Sequence, residues 1–137
     1  MKFFCDTKAF SEAINIVSKA VAVKSPIPHL EGILLTATGG TLTLLSNNLE
    51  ISIKTSISAN ISEEGSIVLN SKMLSDIVRK LPEDVCEVTT NDKYNVSIDY
   101  EYYCKNCNGR SYRVFIPPLV NNDEEKVQDI HKIKKNA

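Results

Sequence analysis

Apolar residues along this chain alternate between two periods. Phe10, Ala13, Ile14, Val17 and Val21 recur at steps of three and four behind Asp6, a residue suited to capping, so the pattern predicts an amphipathic helix from about Thr7 to Val23. The prolines of "KSPIPH" end it, because proline lacks the N–H that a helix requires and pushes its predecessor into extended backbone. "GILLTAT", "TLTLLSN" and "EISIKTSI" follow, rich in Leu, Ile and Thr. Gly39-Gly40 separates the first two and Asn47-Asn48 the second and third, which predicts a three-stranded antiparallel meander.

The pattern then restarts. "GSIVLN" reads as a strand, Asn70 or Ser71 can cap, and Met73, Leu74, Ile77, Val78 and Leu81 form a second helical stripe that Pro82 terminates. "VCEVTT" and "NVSIDYEYY" pair across Asn91-Asp92, and "SYRVFIP" supplies one more strand. The order strand, helix, strand, strand, strand is therefore written twice, as a repeat of elements and not of residues. Two such units predict an α+β architecture with both helices on one face of antiparallel sheet. From Asn121 onward "NNDEEKVQDIHKIKKNA" has few large apolar residues and blocks of opposite charge, so the expected division is a folded domain over 1–120 and a flexible polar tail over 121–137.

A length of 137 residues with 42% hydrophobic content is enough for one packed core. No apolar run approaches the roughly 18 residues of a membrane span. The N-terminus "MKFFCDTKAF" has a charge inside its apolar stretch and no small-residue cleavage pattern, so a cytoplasmic protein is expected. Four irregularly spaced cysteines then read as reduced thiols or metal ligands. Cys104 and Cys107 have the spacing of a zinc knuckle, but a tetrahedral site needs two more ligands, and Cys5, Cys86, His29 and His131 are scattered. Reduced thiols and no metal or other cofactor are the expectation. Catalysis has no signature either: no serine sits in a nucleophile elbow, Gly39-Gly40 is too short to cradle phosphate, and the pairs Glu63/Glu64 and Asp76/Glu83 read as solvated charge.

The net charge is only -1, yet it is unevenly spread. Thr7 to Lys24 and Ser71 to Leu81 together hold six basic residues against two acidic ones, a net +4. The rest of the chain to Val120 holds six basic against eleven acidic, a net -5, and the tail balances. One charged helix face is ordinarily just solvated. Two of the same sign on an acidic body suit contact with nucleic-acid phosphates, without the Asn, Gln and Arg pairs that read base edges.

The stretches "MKFFCD", "INIVSKAVAVKSPIPHLEGILL", "LTLLSNNLEISIKTSI" and "GSIVLNSKMLSDIVRKLP" resemble the first domain of the bacterial sliding clamp, the beta subunit of DNA polymerase III. The match runs from Met1 to about Ile98. The resemblance implies a ring that encircles duplex DNA, with helices lining its inside and sheets its outside, and that serves DNA replication as a non-catalytic processivity factor. Lys24, Lys72 and Arg79 match family positions that carry basic residues near the DNA backbone. Lys8, Lys19 and Lys80 join them by helix face alone.

Family members continue through two further domains, and the last of these receives polymerase and clamp-loader peptides, so those partners are expected to act through domains that this sequence lacks. Ring closure in the family joins the first domain of one subunit to the last of another, which implies other clamp chains as partners and no membrane. Beyond Ile98, Tyr100 to Asn108 aligns as an insertion in the last hairpin, and Tyr112, Val114 and Phe115 fall on the edge strand used for subunit contact. The alternative expectation is a truncated paralogue that acts as an interaction module, binding or regulating a full-length clamp.

Overall fold

In a computed structural model, residues 1–22, 28–81, 84–91, 95–104 and 107–117 are described, with the side chains of 28–29 and 101–112 left aside. Strand β1 (Lys2–Asp6) buries Phe3 and Cys5 and exposes Phe4 and Asp6. Helix α1 (Thr7–Val17) starts where the Asp6 carboxylate accepts a hydrogen bond from the Ala9 N–H at 2.9 Å. It buries Phe10, Ala13, Ile14 and Val17, the stripe expected from the spacing.

The helix ends well before Val23, and the cause is tertiary. Ser46 on β3 (Thr41–Asn47) donates its hydroxyl to the Val17 carbonyl, the group that a continuing helix would offer to the Val21 N–H. Val21 N–H instead bonds Ser18 O at 3.3 Å, closing a short 3-10 turn over Ser18–Ala20. Strand β2 (Gly32–Thr38) runs into β3 through Gly39 and Gly40, both at positive φ (58° and 78°), as the hairpin turn demands. Strand β4 (Ser52–Ser58) completes the predicted meander.

Strand β5 (Asn60–Glu63), a short edge segment, was not expected from the sequence. It lies one residue beyond β4, and at that residue the Ala59 N–H bonds the Gly40 carbonyl at 3.0 Å as the chain passes to the other sheet. Strand β6 (Gly65–Asn70) leads to helix α2 (Ser71–Arg79), whose cap is Asn70, accepting from the Met73 N–H at 2.9 Å. Lys80 and Leu81 add two tighter bonds, to Ile77 O and Val78 O, so the regular helix stops at Arg79 and not at Leu81. Strands β7 (Val85–Thr90), β8 (Val96–Cys104) and β9 (Cys107–Ile116) form the second meander.

The two units are interlaced. One sheet has the order β5-β1-β7-β8-β9 and the other β4-β3-β2-β6, so each meander takes the opening strand of the other unit as its neighbour. The antiparallel sheets expected from the sequence are two in number, and the helices lie side by side, each touching strands of both. One continuous apolar core joins Phe3, Phe10, Leu42, Leu44, Leu74 and Ile98. Phe3 meets Phe10 edge-on, with ring centroids 6.2 Å apart at 84°.

Candidate nucleic-acid interface

The helix surfaces that face away from the core carry five exposed bases, together with Glu12, Asn15 and the exposed apolar Ile16 and Met73. On α1 and its exit turn, Lys8, Glu12, Asn15 and Lys19 are exposed at steps of four, three and four, which makes one stripe opposite the buried face. On α2, Lys72, Arg79 and Lys80 are exposed on the side away from Leu74 and Val78. The helices meet where the Ser18 and Ser71 hydroxyls lie 3.1 Å apart. Lys19 and Lys72 directly follow these two serines, so both flank the junction.

Among the described residues, two basic residues on the sheets, Lys2 and Arg113, are held by acids, whereas Lys54 on β4 and most of the bases on the helices are not. Lys2 pairs with Glu87 at 3.2 Å, and the Arg113 guanidinium engages both oxygens of Asp99 at 2.6 and 3.2 Å. That hydrogen-bonded carboxylate raises the Arg113 pKa and keeps the group charged. Lys8, Lys19, Lys72 and Lys80 form no ion pair with any described residue. Arg79 is the exception, bonded at 3.0 Å to Asp76 three residues back on the same helix. Beside it, a shallow cleft of about 410 Å³ between the helix junction and the 28–31 turn is lined by Ser18, Glu31, Asn70, Ser71, Lys72 and Asp76. Lys72 thus has two acids for neighbours along the cleft wall.

Of the residues assigned to DNA contact from sequence, five lie on this surface. Lys24 lies outside the described residues. Asn15 was missed, although its spacing of seven from Lys8 puts it on the same stripe. The Asp76–Arg79 pair was missed as well: Asp76 reads in the sequence as solvated charge, although the two opposite charges stand at an i, i+3 spacing.

The other candidates fall elsewhere. Strand β9 is an edge of its sheet; on it Val114 is half-buried and Phe115 is 69% exposed, while the backbone of Tyr112 pairs with Tyr100. Of residues 100–108, expected as an insertion, 100–104 and 107–108 lengthen strands β8 and β9, with Cys104 opposite Cys107 in the backbone register, while 105–106 lie outside the described residues. The side chains of 101–112 lie outside the described residues, as does that of His29. Among the described residues, no group of three or more His, Cys, Asp or Glu could hold a metal ion. No helix among them is long and apolar enough to cross a membrane.

A doubled strand-helix-meander unit with two adjacent helices across two antiparallel sheets is the layout of a sliding-clamp domain, and comparison with known proteins agrees. Residues 1–101 match the family described as DNA polymerase III beta subunit, N-terminal domain, and the chain belongs to that family. A beta sliding clamp of Halalkalibacterium halodurans is 36% identical over 117 residues, covering 80% of this chain and 31% of the relative. One from Synechococcus elongatus is 37% identical over 94 residues, or 67% of this chain and 25% of its own length. The crystal structure of the Caulobacter crescentus DNA polymerase sliding clamp superposes with a TM-score of 0.74 at 27% identity, over 87% of this chain and 30% of that one. The chain therefore spans less than a third of the relatives it matches.

Proposed function

We propose that this chain supplies a basic helical lining to a ring that surrounds duplex DNA and keeps a replicative polymerase on its template. The observation that carries the reading is the set of exposed bases Lys8, Lys19, Lys72, Arg79 and Lys80 on two touching helices, set against a body whose remaining charge is acidic. Such a face attracts phosphate without reading sequence. A closed ring is retained topologically, so loose, salt-sensitive contact suits sliding better than tight binding. In this role the domain is non-catalytic and acts in the cytoplasm. Polymerase and clamp-loader subunits would engage parts of the assembled clamp outside this chain.

The test is anisotropy of a labelled duplex over a salt series, with the wild-type protein against Lys8→Glu, Lys72→Glu and Arg79→Glu combined. Loss of binding and of its salt dependence is expected. Unchanged association would overturn the interface. Retention on nicked circular plasmid that disappears on linearisation would mark encirclement.

A second reading is favoured by β9, an edge strand that carries the largely exposed Phe115. There the chain is an interaction module that joins a full-length clamp through Tyr112, Val114 and Phe115. Pull-down with a full-length clamp, lost in Phe115→Asp, would support this role, and no capture by the wild-type protein would remove it.

A further inference from the structure

Cys5 on β1 and Cys86 on β7 are directly paired across the strands, and their sulfurs lie 3.9 Å apart in the core, at 4% and 0% exposure. Directly opposed residues of an antiparallel pair have Cα atoms about 4.5–5.5 Å apart, inside the 4.4–6.8 Å range of disulfides. Both side chains occupy the buried face, so a bond between them requires side-chain rotation and not a change of register. The doubled architecture supplies an internal control. In the other unit, the positions equivalent to Cys5 and Cys86 are Leu69 and Ile33, also paired and fully buried. Packing at this point of the fold is thus met by plain aliphatic side chains, and sulfur is not needed to fill it.

We propose that Cys5 and Cys86 form a cross-strand disulfide site, closed by a small peroxide and reopened by thiols, that fastens the two interlaced units together. The hydrogen bond between the thiols raises the Cys5 pKa and lowers that of Cys86, so Cys86 gives up its proton first. The Cys86 thiolate attacks one oxygen of hydrogen peroxide, the O–O bond breaks, and the departing hydroxide takes up that proton as water. The Cys5 sulfur then attacks the Cys86 sulfenic acid, the S–O bond breaks, and the hydroxyl leaves with the Cys5 proton as a second water. Two thiols lose two electrons and two protons, and one peroxide becomes two waters. The bond would close a loop of 81 residues that contains both helices. Its ends lie two residues before α1 begins and seven after α2 ends, so oxidation restrains the frame on which the basic face is mounted.

The test treats the folded protein with hydrogen peroxide, alkylates free thiols in urea, and maps peptides by mass spectrometry. A Cys5 peptide joined to a Cys86 peptide is expected, with a higher urea midpoint that dithiothreitol reverses. Cys5→Val, and independently Cys86→Val, should abolish both the joined peptide and the shift. The proposal is overturned if Cys5 and Cys86 are recovered alkylated while Cys104 and Cys107 oxidise, or if the link forms only in protein already unfolded. It is also overturned if either valine variant keeps the peroxide-dependent shift. Should both variants fail to fold, the peptide map of the wild-type protein decides alone.

Discussion

Asp6 and Asn70 are counterparts in two interlaced units. Each is the last residue of its unit's opening strand, each pairs with the first residue of a strand in the other unit (Val85 and Gly32), and each caps the helix that follows through a 2.9 Å bond from an N–H three residues on. One residue thereby ends a strand, fixes register and starts a helix. Replacing either by alanine leaves a helix N-terminus without its acceptor, and a loss of about 1 kcal/mol is expected for each. The caps belong to different helices, so the double variant should lose close to the sum in urea denaturation.

Ser46 decides where α1 ends. It is 1% exposed, and its hydroxyl satisfies the Val17 carbonyl. In Ser46→Ala that carbonyl keeps only its backbone donor in the 3-10 turn, and losing the buried side-chain bond costs about 1 kcal/mol. If Val21 instead reclaims it, the helix extends toward the length the apolar spacing predicts and the cost falls. Denaturation together with far-ultraviolet circular dichroism separates the two outcomes: ellipticity rises only in the second.

The same example marks how much was legible in the sequence. Phe10, Ala13, Ile14 and Val17 announced the first helix, and Asp6 its start, because caps and periodicity are local. Its end was set by a serine 29 residues away, which no local pattern encodes. The exchange of opening strands between units and the four-residue β5 were hidden for a similar reason: pairing partners are chosen across the fold, and β5 is too short to have a period of its own. At the interface, the sign of the helix charges was readable, whereas the Asp76–Arg79 bond was not, because an i, i+3 spacing permits such a pair without requiring it. That Lys19 and Lys72 flank one junction needed the Ser18–Ser71 contact.

Glu64 stabilises the β2–β3 turn from a distance. Its carboxylate accepts from the Thr38 hydroxyl and, at 3.0 Å, from the Gly39 N–H, and these bonds lower its pKa from 4.5. A carboxylate with a folded pKa below its unfolded value adds stability above the unfolded pKa, and that stability is lost as pH falls through the folded one. The urea midpoint should therefore fall more steeply in the acid range for wild type than for Glu64→Gln. Parallel acid limbs would show that this solvent-exposed carboxylate contributes nothing to the turn.

Asp76 restrains Arg79 in an exposed pair, with side chains 45% and 68% accessible, a class of interaction worth only about 0.3–0.5 kcal/mol on a helix. Breaking it should therefore leave folding almost untouched while changing the charge offered to phosphate. Asp76→Asn removes an acid from beside Lys72 and frees the guanidinium, so duplex affinity at low salt should rise. Each new phosphate contact should steepen the dependence of log K on log salt by about 0.9. Lys72→Ala should move both quantities the opposite way by about one such contact. Because the two substitutions act on adjacent groups, their combination tests the surface directly: if Arg79 and Lys72 face the same backbone, the double variant returns close to the wild-type slope. If instead Asp76→Asn leaves affinity and slope unchanged, Arg79 does not reach DNA, and the contact surface narrows to Lys8, Lys19, Lys72 and Lys80.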